Sequence, residues 1–218
     1  MLSELAILAH HLTVQYPESP HPVFQNLSLE VSLGEFVVLH GPTGCGKTTL
    51  LYCIAGIIPK IVPARIEGTL QVLGNDVRSF PPSSSPIAFI PQRIDAALPL
   101  TSTTANLCLL SGASLSEVDQ ILKQLGLGAS AALEVWKLSR GKQTLVALAA
   151  ALLRKPRLLL IDEAFSNLDL QSGRLALQLI EQARRQNTLT VLAVEHWFPK
   201  QLTNMISRTL DFRSLVRS

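Results

Sequence analysis

Charge is scarce in this chain: of 218 residues only 16% are Asp, Glu, Lys or Arg, whereas 47% are apolar. A disordered polypeptide needs the opposite balance, so a packed core is expected, with some apolar surface left for partners. Cysteine is scarcer still. Cys45, Cys53 and Cys108 are odd in number and lack metal-ligand spacing, which argues against a disulfide framework or a zinc knuckle and suits a reducing compartment. No block of one charge stands out: 19 basic residues face 16 acidic ones, for a net +3. Without a concentrated basic stripe, nucleic acid is not an expected partner. The longest apolar run covers nine residues, 145–153, far short of the ~20 that cross a bilayer. Glu4 and the lack of an initial basic stretch lead us to expect no signal peptide. The expectation is a soluble chain that meets a membrane only through a partner.

What remains fits one large domain, or a core with one insertion. Leu12, Val14 and Tyr16 alternate with polar residues, as do Leu27, Leu29 and Val31, and predict two half-buried strands around the turn-rich 17–22 stretch. Phe36-Val37-Val38-Leu39 is a continuous apolar run, the pattern of a strand covered on both faces. A glycine-rich turn and a helix over 47–57 follow it. Further strands are expected near Leu70 and Val72, over 87–90, 158–161 and 189–194, and near 209–212, with a turn at Gly74-Asn75-Asp76 and a loop through Pro81, Pro82 and 83–85. From Pro91 to Leu153 the periodicity is helical. Ser114-Leu115-Ser116-Glu117 reads as a capping box for a helix that Gly126 ends, and a second helix spans 140–153. Helices are also expected over 170–186 and after Pro199. Strand and helix alternate on both sides of a helical insert, which predicts an α/β fold with a mostly parallel sheet.

Two motifs carry chemistry. Gly41-Pro42-Thr43-Gly44-Cys45-Gly46-Lys47-Thr48 fits G-x-x-x-x-G-K-[ST] between an apolar strand and a helix. Glycines let consecutive N–H groups curl into an anion nest, the helix directs its positive end at the same point, Lys47 reaches the β- and γ-phosphates, and the Thr48 hydroxyl holds Mg²⁺. Arg157-Leu158-Leu159-Leu160-Ile161-Asp162-Glu163 places two carboxylates at the end of a buried strand. Unpaired carboxylates there are costly to desolvate, so a cation is the economical partner. Asp162 is expected to hold Mg²⁺ through water, and Glu163 to polarise an attacking water.

With these residues in view, the chain resembles the ATP-binding-cassette (ABC) ATPase family over essentially its whole length. The 41–48 loop resembles its Walker A motif, and 158–163 its Walker B. Gln92 sits where that family has its Q-loop glutamine, and Leu138-Ser139-Arg140-Gly141-Lys142 where it has LSGGQ. Ser166-Asn167-Leu168-Asp169 resembles the D-loop, and His196, after a strand, the switch histidine. The resemblance implies a P-loop ATPase core with a mostly parallel sheet, an N-terminal antiparallel β part and an inserted helical subdomain. It divides the chain into a nucleotide-binding core of 1–92 and 155–218 and a helical subdomain of 93–154. It implies ATP and Mg²⁺ as ligands, with Tyr16 stacking on adenine and with Thr49 and the 41–48 loop around the nucleotide. It assigns His196 to the γ-phosphate, Gln92 to Mg²⁺ and to communication with an integral membrane subunit, and Ser139 and Gly141 to the ATP of a second cassette. Catalytic duty then falls on Glu163, His196, Lys47 and Gln92, at the cytoplasmic face of a membrane.

The pattern is not perfect. Arg140 replaces the first signature glycine and Lys142 the glutamine, placing two cations in a helix's first turn, where each opposes the helix dipole by about 0.3–1 kcal/mol. Three readings stand: these cations meet the phosphates of a partner's ATP, or the Arg140 side chain blocks the approach that glycine permits and the signature is degenerate, or both are neutral changes at a tolerant position. Ala164-Phe165 stands where the family usually has Pro-Thr. Cys45, beside a helix N-terminus, reads as a small filler of the loop. Only 113 residues separate Thr48 from Asp162, too few for the long coiled coil of the chromosome-maintenance relatives. A nucleotide kinase explains neither 138–142 nor the Asp162-Glu163 pair. Energised transport is the leading expectation, with vitamin, metal ion or peptide as solute. Gly56-Ile57-Ile58-Pro59, Ile66-Glu67-Gly68 and Val194-Glu195-His196 resemble energy-coupling-factor importers, and Pro63-Ala64-Arg65 peptide and nickel importers. The alternatives are a weakly hydrolysing regulatory half of a heterodimer, and a soluble ABC ATPase without a transport role.

Overall fold

The structure, a computed structural model, describes residues 4–79, 86–98, 102–195 and 200–216. Two sheets and a set of helices form its layers. The first sheet is antiparallel, in the order β2-β1-β4-β5, from β1 (Leu5–Gln15), β2 (Phe24–Ser32), β4 (Arg65–Val72) and β5 (Asn75–Asp76). The second is parallel throughout, in the order β6-β7-β8-β3-β9, from β3 (Phe36–His40), β6 (Ile87–Ile90), β7 (Leu158–Asp162), β8 (Thr190–Val194) and β9 (Arg208–Asp211). The helices are α1 (Lys47–Ile54), α2 (Thr103–Ser111), α3 (Leu115–Gln124), α4 (Arg140–Leu153), α5 (Leu170–Asn187) and the short α6 (Phe212–Leu215).

The apolar runs of β3, β7 and β8 carry no polar alternation because both faces of the parallel sheet are covered. Side chains one apart point to opposite faces. Val37, Leu39, Leu158, Leu160, Leu192 and Val194 pack with α1 and the antiparallel sheet. Phe36, Val38, Leu159, Ile161, Val191 and Ala193 pack with α4 and α5. Nine of the fourteen residues of α4 are buried, so this helix is the centre of the second core.

Caps close where local chemistry predicted them. Ser114 Oγ accepts from the Glu117 amide while Glu117 Oε2 accepts from Ser114 N, completing the capping box of α3, and Gly126 follows it with φ +65°. Ser139 Oγ accepts from Lys142 N at the start of α4. A further cap, not anticipated, is Asp169 Oδ1, which accepts from Ser172 N at the start of α5. Other boundaries moved. The first helix stops at Ile54 rather than 57, because Gly56 turns left-handed (φ +72°) and its amide bonds back to Cys53 O. Asn75 and Asp76, expected in a turn, pair with Val72 and Gln71 as β5. The helix expected after Pro199 is a 3₁₀ segment over Lys200–Met205, and Phe212, expected to end the last strand, opens α6. Ala164 and Phe165, the departure after Walker B, are buried, and Phe165 opens a 3₁₀ turn over Phe165–Asn167. The 81–85 loop and Pro199 lie outside the described residues.

One tight spot holds the antiparallel sheet in register. The pairing of β1 shifts between Ala9 and Leu12 on the β2 side, and between His10 and Thr13 on the β4 side, with His11 at φ +51°. Gly68 lies against this bulge at φ +86°, where a Cβ would stand 2.3 Å from His11 O and 2.7 Å from His10 O. Gly68→Ala therefore lowers stability by about 2–4 kcal/mol, left-handed strain plus overpacking against backbone that cannot swing aside. A urea unfolding midpoint measures it, and an unchanged midpoint would refute the fit.

Candidate functional site

In open α/β sheets, ligands bind outside the carboxyl ends of the strands. Those ends collect the residues in question here. The 41–48 loop leaves β3, Gln92 follows β6, Asp162 ends β7 with Glu163 next to it, and Glu195 follows β8.

The loop is folded around its own lysine. Lys47 is 4% exposed, and its ammonium donates to Gly41 O at 2.8 Å and Pro42 O at 2.9 Å, with Cys45 Sγ at 3.9 Å. Gly46 takes φ +106° as the residue before α1, and a Cβ there would meet Phe24 Cδ1 at 2.8 Å, so the loop packs closely onto the start of β2. No side chain caps α1; its first amides face the concave loop and suit an anion. The hydroxyl of Tyr16, half-buried just past β1, lies 3.2 Å from Thr49 Oγ1, which ties the proposed adenine platform to the first turn of α1.

The Thr48 hydroxyl donates to Asp162 Oδ1 at 3.2 Å across 114 residues of sequence. Asp162 is 3% exposed. Burial first, and then the neighbouring Glu163 carboxylate, push its pKa above the ordinary aspartate range, against the Thr48 hydrogen bond and the Lys47 charge. A hydroxyl and a carboxylate oxygen side by side form a hard-oxygen donor pair, and a carboxylate raised by burial is one that a cation relieves. Both fit Mg²⁺, which takes one or two protein carboxylates and completes its shell from phosphates and water. Among the described residues no cluster of three His, Cys, Asp or Glu forms a metal cage, so any such ion depends on those outside ligands.

Glu163 is half-buried, and its Oε2 accepts a hydrogen bond from Gln92 Nε2 at 2.6 Å, joining the ends of β6 and β7. Its backbone is left-handed, φ +51°. Ser139 and Gly141 belong to the first turn of α4, where Arg140 and Lys142 are exposed. His196 lies outside the described residues. Sequence reasoning gave Glu195 no role. It is 1% exposed, its Oε1 accepts from Phe165 N at 2.8 Å, and burial, opposed by that bond but reinforced by the charges of Glu163 and Asp162, pushes its pKa up to about 8. The available signal was a single carboxylate closing a run of seven apolar or Thr residues, 188–194.

This is the architecture of a P-loop nucleotide-binding protein: an anion nest at a strand–helix turn, with a hydroxyl and two carboxylates converging beside it. The family profile described as ABC transporter matches residues 24–166. The zinc import ATP-binding protein ZnuC of Roseobacter denitrificans is 36% identical over 176 residues, 80% of this chain and 63% of that protein. The thiamine import ATP-binding protein ThiQ of Escherichia coli K12 is 34% identical over 201 residues, 89% of this chain and 80% of that protein. Some relatives are much longer, and the chain spans 30% of one from Methanosarcina acetivorans. The dimeric structure of the ATP-binding cassette MJ0796 bound to ADP and Pi superposes with a TM-score of 0.78 over 94% of this chain and 93% of that one, at 24% identity, and shares the fold. The chain belongs to the ABC transporter ATP-binding family.

Proposed function

We propose that this chain binds and hydrolyses MgATP to energise solute transport across a membrane, as the ATPase subunit of an importer. The observation that carries the proposal is the convergence of Lys47, Thr48, Asp162, Glu163 and Gln92 at the ends of three neighbouring or near-neighbouring strands, in a chain whose relatives include zinc and thiamine import ATP-binding proteins.

In this reading the amides of the 41–48 loop and the Lys47 ammonium hold the β- and γ-phosphates, and the aromatic ring of Tyr16 supports the adenine. Thr48, Asp162 and Gln92 would hold Mg²⁺, which supplies charge neutralisation on the phosphate oxygens. Glu163 accepts a proton from the attacking water, and the bond from Gln92 holds its carboxylate in place. His196 takes the γ-phosphate role implied by the resemblance. Ser139 and Gly141, at the N-terminal end of α4, face the ATP of a second cassette, a copy of this chain or a related one, so closure over two nucleotides precedes hydrolysis. The 93–154 subdomain and Gln92 carry that motion to an integral membrane subunit, which places the chain at the cytoplasmic face of the membrane. No helix among the described residues is long and apolar enough to cross a membrane itself. Nucleic acid has no part. The solute class, by the relatives, is a metal ion or a vitamin, with peptide as the remaining importer class.

A second reading is favoured by one observation: exposed Arg140 and Lys142 occupy the signature turn. The chain is then the ATP-binding, weakly hydrolysing half of an asymmetric pair. Tagging the chain, solubilising native membranes in mild detergent and identifying what co-purifies tests both readings. A multi-span protein with this chain alone supports the importer and a symmetric pair. A multi-span protein with a second cassette chain supports the asymmetric pair. Recovery only from the soluble fraction removes the transport role.

A further inference from the structure

Glu163 is a non-glycine residue held in the left-handed region (φ +51°), a strained conformation that persists only where neighbours over-determine it. Three of the hydrogen bonds around that turn bear on its posture. The Glu163 amide donates to Val194 O at 2.8 Å, the Ser166 hydroxyl donates to Glu163 O at 2.7 Å, and the Phe165 amide donates to Glu195 Oε1 at 2.8 Å. Two of the three acceptors are consecutive residues at the exit of β8, so the turn after β7 is fastened to the neighbouring strand.

Glu195 is an expensive way to make such a bond. It is 1% exposed, and its second oxygen, Oε2, has no hydrogen-bond partner among the described residues. An unsatisfied buried polar atom is destabilising, and an apolar side chain of the same size would avoid that cost. What an apolar side chain cannot supply is an acceptor for Phe165 N, which belongs to a residue packed in the core. With its pKa raised to about 8, the group is largely the neutral acid near pH 7, and the carbonyl oxygen of a neutral acid accepts an N–H as well.

We propose that Glu195 is a positioning residue for ATP hydrolysis: its buried carboxyl latches the Phe165 amide to the end of β8 and so holds the left-handed turn that aims Glu163 at the attacking water. The proposal rests on the reading of Glu163 as the base. It gives Glu195 no contact with nucleotide.

Two replacements separate the latch from simple filling of space. Glu195→Gln keeps a carbonyl acceptor in the same place, whereas Glu195→Met keeps the volume and removes the acceptor. With the full chain, three quantities are read: kcat for MgATP, the ATP dissociation constant, and hydrogen exchange of the peptide covering 163–167. Glu195→Met is expected to lower kcat by about 10–100-fold, the scale of a misplaced catalytic group, with ATP affinity within about twofold and faster exchange at Phe165. Glu195→Gln stays within about threefold of the parent in all three. An unaltered kcat and exchange in Glu195→Met overturn the latch, and so does a Glu195→Gln chain as impaired as Glu195→Met. Glu163→Gln, measured alongside, isolates the underlying reading. If it hydrolyses at the parent rate, the base assignment fails and the latch is decided by exchange alone: faster exchange in Glu195→Met sustains it, equal exchange ends it.

Discussion

Glu163→Gln lowers the steady-state rate of ATP hydrolysis by about 10²–10⁴-fold, the range that a positioned general base contributes, and leaves ATP affinity within about twofold. The replacement keeps the size and shape of the side chain. Gln92 Nε2 still finds a carbonyl oxygen where it now finds Glu163 Oε2 at 2.6 Å, and the left-handed backbone at 163 is no harder for glutamine than for glutamate. What is lost is the capacity to take a proton from water. Since binding precedes that step, nucleotide-loaded pairs accumulate, and size-exclusion chromatography in MgATP registers a larger paired fraction than for the parent chain. A rate equal to the parent's would remove Glu163 from the chemistry and favour the reading of a chain that mainly binds ATP.

Lys47→Met weakens ATP binding by about 100-fold. Charge-assisted hydrogen bonds are worth about 1.5–3 kcal/mol, and about 3 kcal/mol corresponds to two decades in dissociation constant. The ammonium donates to Gly41 O and Pro42 O, so the loop's own carbonyls hold the cation at the nest. Methionine fills the channel between these carbonyls without charge, so a loss of affinity reports the missing cation rather than a collapsed loop. Isothermal titration with ATP reads the affinity, and thermal unfolding without nucleotide reads the loop. If affinity holds while thermal stability drops, the ammonium serves the fold of the loop and not the phosphate.

Much of this site was legible because its local parts close within a few residues. The G-x-x-x-x-G-K-T spacing implies an anion nest whichever sheet surrounds it, since the curl involves adjacent amides and one nearby lysine. The same holds for Ser114 with Glu117 and Ser139 with Lys142, caps whose bonds span three residues. Runs such as 36–39 and 158–161 announced strands buried on both faces because only such strands tolerate apolar residues without alternation. Element ends were less legible. The last turn of the first helix was lost to the left-handed Gly56, and Asn75-Asp76 became a strand because Val72 and Gln71 lie opposite them.

The order of the parallel sheet, β6-β7-β8-β3-β9, was not legible, and the catalytic geometry depends on it. Gln92 reaches Glu163 because β6 lies beside β7, and Glu195 reaches Phe165 because β8 lies on the other side. These bonds join residues 71 and 30 apart in the chain, across strands whose apolar sequences are nearly interchangeable. Glu195 itself reads as one acidic residue among sixteen, and it takes burial, reinforced by the charges of Glu163 and Asp162, to make it a largely neutral acceptor. By itself, then, the sequence determined the phosphate loop, the carboxylates, the caps and the family, all properties of residue type at short spacing. The posture of Glu163, the protonation of Glu195 and the meeting of Thr48 with Asp162 were decided by tertiary structure, because dielectric and strand adjacency exist only once distant segments are packed together.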